Sequence, residues 1–382
     1  MKKVLYITTV SGFLYQFEMS NVKILQDMGY EVHYAANANT PGYIIDEKIK
    51  KDSGVVFHHV DISRSPKDLN TNRKAKDRLV SLARSLDTDL IHCHTPVGGA
   101  LGRLVGRSLG GVKVIYTTHG FHYYNGAPAY YKMYDMAERK LAEYTDAIIT
   151  INREDYRRAK SFELKPGGRV YRIPGEGTDT GRFNAEKKAK VRDGMRDRLG
   201  MKKDEFFLLS VGELCANKNH KIVLDALAIL KNKKIRYGIC GDGPVRGFLK
   251  EKILRYGLKN RVSLYGYCTE VEDYLYAADA FVFPSVREGL GMAAIEAMAS
   301  GLPVIAADNR GTKEYMRNKE NGFVCPADSP SGFAAGIKKM QSLSPEKRQD
   351  MEKCCRETAG KFDIKNVRPL MKKIYEETDA GL

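Results

Sequence analysis

Short apolar runs alternate with helix-like stretches along this whole chain, and that alternation limits the fold more than any other feature. In the first half the strand-like runs are Val4–Thr9, Glu31–Ala35, Val55–His58, Leu90–Cys93, Lys113–Thr117, Ala147–Ile151 and Arg169–Ile173. Helical patterns lie between them, at Gln16–Met28, Thr71–Leu86, Gly98–Leu109 and Tyr130–Tyr144. The alternation resumes with Phe206–Val211, Ile235–Cys240, Val262–Tyr265, Ala280–Phe283, Val304–Ala306 and Gly322–Cys325. Strands separated by helices form parallel sheets covered on both faces, which bind ligands at the carboxyl ends of the strands. Between the two series, residues 174–183 read PGEGTDTGRF, a stretch rich in Gly, Asp and Thr that reads as a linker. A chain of 382 residues fits two domains rather than one small core. The expectation is an α/β protein of two Rossmann-like, doubly wound domains, with the boundary at residues 178 and 179.

Hydrophobic residues make up 43% and charged residues 29%, the balance of a soluble globular protein. No apolar run reaches the length of a transmembrane helix. The net charge of +16 favours polyanions or an anionic membrane surface. No zinc-finger, RNP or helix-turn-helix pattern accompanies it, and the basic residues are spread over both halves, so nucleic acid is not expected. A membrane-bound acceptor accounts for the charge better, and part of the excess is ordinary solvated surface. Seven cysteines without a C-x-x-C pair argue against a disulfide framework or a zinc ribbon. Cys93, Cys240 and Cys325 stand at strand ends, where a thiol acts as a small hydrophobe. The amino terminus carries two lysines and then apolar residues, but no small-residue cleavage site follows, and Val4–Thr9 reads better as a first buried strand than as a signal peptide. A cytoplasmic protein is expected.

Polar residues gather where the strands end. After the first comes Ser11-Gly12-Phe13, after the fourth His94-Thr95-Pro96, and after the fifth Thr118-His119-Gly120-Phe121-His122. His92 and His94 stand two apart on a strand, so both could face one side and ligate a metal. No carboxylate or third histidine stands nearby at metal-site spacing, a satisfied strand-end histidine is the simpler reading, and no metal is expected. In the second half Phe206–Val211 ends at Gly212, with Lys218 at the mouth of the next helix, and ICGDGP places Gly241 and Gly243 in a tight turn. The full G-x-G-x-x-G is absent, so this is not a dinucleotide fingerprint. The densest segment is Phe281–Ala299, FVFPSVREGLGMAAIEAMA. It runs from an apolar strand through a polar turn to an Ala-rich helix entered through Gly289, Leu290, Gly291 and Met292. Such a turn offers free N–H groups and a positive dipole end to a phosphate. Glu296 interrupts the apolar helix, where a carboxylate needs a partner that sugar hydroxyls would supply. The same letters also fit an ordinary amphipathic helix capped by a glycine turn.

Glu288 and Glu296, with seven residues between them, resemble the E-x7-E signature of the retaining glycosyltransferases of family 4, which have the two-domain GT-B fold. The resemblance covers nearly the whole chain and is most specific between Ser210 and Glu314. It implies that Glu288 sits against the donor sugar as the catalytic carboxylate and that Glu296 binds the nucleotide ribose. His119, in its T-H-G setting, is implied to lie beside the donor sugar as the second catalytic group, with His122 as a further candidate. Lys218 matches the lysine that binds the nucleotide diphosphate, and Gly289 to Met292 match the helix start that receives it. Gly212, Gly241 and Gly243 match turns near the nucleotide, and Tyr267 and Thr269 follow the segment that contacts the base. The linker resembles the family hinge through Gly177, Asp179 and Phe183. The last helix, within about 363–382, is implied to pack back onto the first domain, leaving 179–362 as the nucleotide-sugar domain and 1–178 as the acceptor domain. Two departures stand out. Family members often carry a Gly-Gly pair after the first strand, where only Gly12 remains as a donor contact, and Glu213 stands where an arginine would join Lys218.

The resemblance implies a retaining glycosyltransferase of hexosyltransferase type, moving a sugar from a nucleotide-sugar donor, by family frequency a UDP-sugar. The acceptor is expected to be a carbohydrate or a polyprenyl-linked carbohydrate in bacterial capsule, surface or exopolysaccharide biosynthesis. No metal or other cofactor is expected, and peripheral contact with an anionic membrane is. Two alternatives stay open: a nucleotide-sugar epimerase on the same fold, and a non-catalytic nucleotide-sugar-binding subunit of a polysaccharide assembly complex, which Glu213 makes conceivable.

Overall fold

Every apolar run named above becomes a strand, and all strands pair in parallel. The computed structural model describes residues 1–43, 45–183 and 185–381. The chain divides into two units, Met1–Gly177 with Ile364–Leu382, and Thr178–Asp363. The first holds β1 (Lys2–Val10), β2 (Tyr30–Asn37), β3 (Val56–His59), β4 (Leu90–His94), β5 (Lys113–Thr118), β6 (Ala147–Thr150) and β7 (Arg169–Arg172). They form one seven-stranded sheet in the order β3-β2-β1-β4-β5-β6-β7. Its central strands are buried along most of their length because helices cover both faces, so they read as continuous apolar runs rather than alternating ones. Leu5, Ile7, Ile91, Val114 and Ile148 meet Leu79 and Val105 of the helices in one core.

The order reverses between β1 and β4, which parts the loops leaving these two strands and opens a crevice at their carboxyl ends. Gly12 lies in the first of those loops and His94 ends β4. Thr95, directly after β4, holds φ at +62°, a conformation that β-branched residues rarely adopt. Its hydroxyl bonds the Thr9 hydroxyl at 2.6 Å, tying the two strand ends together. The helix expected over Gln16–Met28 begins instead with a π-helical turn, Leu14–Glu18, followed by an α-helix, Met19–Asp27. Glu18, at the end of that widened turn, is only 1% exposed.

The final helix, Ile364–Asp379, buries Val367, Met371, Ile374 and Tyr375 and packs on the helix Met19–Asp27. Polar ties fix it to the sheet: Lys2 Nζ bonds Asp379 at 2.6 Å, Tyr30 Oη donates to Asp379 at 2.8 Å, and Tyr171 Oη donates to Glu377 at 2.6 Å. Among the described residues no helix is long and apolar enough to cross a membrane.

The second unit holds β8 (Phe206–Val211), β9 (Ile235–Cys240), β10 (Val262–Gly266), β11 (Ala280–Phe283), β12 (Val304–Ala307) and β13 (Gly322–Cys325). Their order is β10-β9-β8-β11-β12-β13, so the reversal falls between β8 and β11. Leu208, Ile239, Val282 and Ile305 form the core with Leu224, Leu227 and Phe333. The charged helix Ala185–Arg198 uses some of its charges structurally. Arg192 and Arg196 both bind Asp279, whose carboxylate also accepts the Phe207 N–H at 2.7 Å at the start of β8.

Candidate active site

In the second unit the site residues converge because the chain reverses between β8 and β11. The loop after β8 brings Lys218 and the loop after β11 brings Glu288, and the two side chains meet at 2.6 Å. Lys218 also stands 5.3 Å from the centre of the Phe283 ring. The Glu288 loop is held from both sides. Asn217 donates to the Arg287 carbonyl at 2.8 Å, Val286 N–H donates to the Asn217 carbonyl at 2.9 Å, and Asn309 donates to the Ser285 carbonyl at 2.8 Å. Beyond Gly289 and the buried Leu290, Gly291 turns at φ +97° and caps the helix Met292–Ala299. A side chain there would be strained in the backbone and its Cβ would lie 2.6 Å from the Phe283 ring, so only glycine brings the helix start this close. Beneath it the Tyr315 hydroxyl is buried without a hydrogen-bond partner. Burial, with the Glu288 charge adding to it, keeps that phenol protonated.

Glu296 lies half-buried one turn into this helix. Burial raises its pKa, Arg182 opposes that, and Glu272, ion-paired to Arg182, reinforces it. Gly241 and Gly243 pack on the Gly212 loop: the Gly212 N–H donates to the Cys240 carbonyl at 2.9 Å, and Leu214 N–H to the Asp242 carbonyl at 2.9 Å. A Cβ on Gly241 would fall 1.9 Å from the Gly212 carbonyl oxygen, so this glycine serves the contact between two loops. Glu213 is exposed on the same loop, as are Tyr267 and Thr269 after β10.

In the first unit a line of ionisable side chains crosses the carboxyl ends of β4 and β5. His119 donates from Nδ1 to the Glu176 carboxylate, and its Nε2 stands 3.1 Å from His94 Nδ1. His94 Nδ1 is 3.7 Å from Glu18, which accepts from Asn21 at 2.7 Å. The Phe13 ring meets His119 edge-on at 5.0 Å. Both nitrogens of His119 are therefore engaged within the chain. His122, the other candidate, packs on Tyr134 at 5.0 Å between ring centres. Gly12 donates its N–H to the Pro41 carbonyl at 2.9 Å, and a Cβ there would lie 2.7 Å from that oxygen, so the glycine is explained by the loop it touches.

Charge follows position in this row. Burial works against a charged His119, but the Glu176 carboxylate outweighs it, with help from Glu18, and lifts its pKa above the ordinary histidine value. Glu176 mirrors this: burial pushes it up and His119 brings it below the carboxylate range. His94 is driven well down by burial, then by His92 and His119, so it is neutral and accepts the His119 Nε2 proton. Its own Nε2 is left buried without a partner. Burial raises Glu18 to about 7 against the pull of His119.

The fold also corrects the reading of His92 and His94 as having no third ligand nearby. Glu18, remote in sequence, comes close enough that ligand atoms of Glu18, His92 and His94 all lie within 4.8 Å of one another. His92 nevertheless has both nitrogens in use, Nε2 at 2.8 Å from Thr117 Oγ1 and Nδ1 at 3.0 Å from Tyr375 Oη, the arrangement of a hydrogen-bonded core histidine. Burial, then His119, lowers it to about 3. Sequence reading missed Glu18, Glu176, Asn217, Asn309 and Tyr315. The one local hint was the placement of Glu176 between two glycines.

Both halves have recognisable relatives. The family model for glycosyl transferases group 1 matches residues 191–358, and that for glycosyl transferase 4-like proteins matches residues 3–152. The chain is 37% identical over 379 residues to EpsD of Bacillus subtilis (strain 168), named as a glycosyltransferase, covering 98% of this chain and 96% of that one. It is 30% identical over 263 residues, 67% of each chain, to the UDP-Gal:alpha-D-GlcNAc-diphosphoundecaprenol alpha-1,3-galactosyltransferase of Escherichia coli. Among solved structures, a sucrose-phosphate synthase from Thermosynechococcus elongatus superposes with a TM-score of 0.81, and HepE of Anabaena in complex with UDP and glucose with 0.77. Each is 20% identical over 100% of both chains, which speaks for the fold alone. A relative this similar over nearly the full length, two family models and two parallel doubly wound sheets lead to one conclusion: the chain is a family 4 glycosyltransferase with the GT-B fold.

Proposed function

We propose that this glycosyltransferase moves a hexose from a UDP-sugar, with retention of configuration, to a lipid-linked carbohydrate in exopolysaccharide assembly. The observation that carries the reading is the Lys218–Glu288 pair beside the Gly291-capped helix start. A diphosphate entering there competes with Glu288 for Lys218 and takes hydrogen bonds from helix N–H groups that have no intrahelical partner. Once Lys218 turns to the phosphate, Glu288 is released to face the positive charge that develops on the sugar ring. Glu296 supplies a carboxylate for ribose hydroxyls. In this reading the departing diphosphate is stabilised by Lys218 and backbone N–H groups without a metal.

The base and acceptor classes draw support from the relatives: the Escherichia coli enzyme is named for UDP-Gal and a diphosphoundecaprenol acceptor, and HepE was solved with UDP. A basic chain of net charge +16 suits peripheral attachment at an anionic membrane where such an acceptor resides. The test is a thermal-shift titration with UDP, GDP and ADP, with and without EDTA. A UDP-selective rise in the unfolding midpoint that survives EDTA is expected. A rise with another base overturns the donor, and loss in EDTA overturns the metal-free site. No rise with any nucleotide overturns the phosphate site, with Glu213 as the reason to examine first. Release of free UDP during turnover separates transfer from epimerisation.

A further inference from the structure

We propose that Glu176 is a positioning residue for His119, holding the ring as an imidazolium of fixed orientation at the carboxyl end of β5. The inference rests on the reading of His119 as a group beside the donor sugar. Its basis is local geometry. Glu176 is flanked by Gly175 at φ +80° and Gly177 at φ +87°, both in the left-handed region. A Cβ on Gly177 would lie 2.8 Å from Ile364 Cα, so the turn needs glycine there and carries Glu176 toward the strand ends. The resulting pair is largely withdrawn from water, with His119 21% and Glu176 10% exposed.

Only one oxygen of Glu176 is used. The other is buried with no hydrogen-bond partner, an arrangement that stability alone does not favour. On the far side of the ring His94 Nδ1 receives Nε2 at 3.1 Å, so the imidazole is held at both ends and cannot flip without losing a bond. Glu176 binds it directly, Glu18 adds negative potential from the π-helical turn, and the neutral His94 and His92 of β4 add none. A histidine bound to a carboxylate at Nδ1 has its proton placement set by that partner. The linker residue thus decides whether a cation stands at the end of β5, and with which edge it faces the substrate.

The experiment follows His119 directly and then follows turnover. Nitrogen-15 NMR of the imidazoles across a pH series is recorded for the wild type, Glu176→Gln and Glu176→Asp, with folding checked by the urea midpoint of each. In the wild type His119 is expected to titrate above free histidine. In Glu176→Gln half-protonation of the ring needs a proton concentration about tenfold or more higher, and Glu176→Asp recovers part of the shift. Transfer from the nucleotide sugar, followed over the same pH range, loses its alkaline activity in Glu176→Gln by the same displacement. A wild-type His119 that titrates at or below the free value overturns the proposal, even if the Gln variant does not fold. A ring that follows Glu176 while the pH profile of turnover stays put shows a structural ion pair and also overturns it. Absence of transfer from every nucleotide sugar defeats the underlying glycosyl-transfer reading instead, a failure distinct from either.

Discussion

Replacing Glu288 by Gln should move binding and turnover in opposite directions, because the carboxylate both holds Lys218 and serves the sugar. Lys218 Nζ stands 2.6 Å from Glu288 Oε1, with the side chains 23% and 13% exposed. An ion pair still in contact with water is worth about 1 kcal/mol. A nucleotide diphosphate must break that pair to claim Lys218, so part of its binding free energy is consumed in doing so. With Gln the opposing attraction is lost, and UDP should bind up to about fivefold more tightly. Turnover should fall by roughly 10²–10³-fold, the size of effect seen when one group that stabilises developing charge is removed. Isothermal titration with UDP and a coupled assay for released UDP measure the two quantities on one preparation. Lys218→Ala supplies the control and should weaken UDP binding. Weaker UDP binding by Glu288→Gln would refute the competition for Lys218, and undiminished turnover would refute the role of Glu288 at the sugar.

Other perturbations follow from the same contacts. Gly291→Ala combines a left-handed backbone penalty with a Cβ 2.6 Å from the Phe283 ring, and should destabilise the second unit by about 2–4 kcal/mol while weakening nucleotide binding, as read by urea unfolding and UDP titration. Asp279→Ala strands Arg192, Arg196 and the Phe207 N–H together, and a loss of about 2–3 kcal/mol should appear as a lowered thermal midpoint without change in UDP affinity. Glu18 is raised from 4.5 to about 7 in the folded chain. Its stabilising contribution is therefore fully present below the lower value and is lost as pH rises through the higher one, about 3 kcal/mol in all. Glu18→Gln keeps the Asn21 bond and removes that dependence, so its urea midpoint should fall less than that of the wild type between about pH 5 and about pH 8. Equal falls would show that Glu18 is charged throughout.

The strands were legible before any coordinates because a buried parallel strand must be apolar along its length, and runs such as Leu90–Cys93 and Ala280–Phe283 meet that demand with few alternatives. The glycine turn before Met292 was legible for a similarly local reason, since a helix start has a chemistry of its own. The pairing of Arg192 and Arg196 with Asp279 was not legible because Asp279 lies more than 80 residues away in sequence. The His92–His94 pair was read without Glu18 because a π-helical turn, invisible to a helical period, turns that carboxylate inward.

Local patterning decided which segments are strands and helices, since burial of each segment depends on its own sequence of apolar and polar residues. Strand order decided the site. Lys218 and Glu288 are 70 residues apart, and His119 and Glu176 are 57 apart. Each pair meets because parallel strands deliver their following loops to the same end of a sheet, and which strands become neighbours depends on packing summed over the whole unit. The charges on His119, His94 and Glu18 belong to the tertiary structure for the same reason: they are set by desolvation and by neighbours that no local stretch of sequence contains.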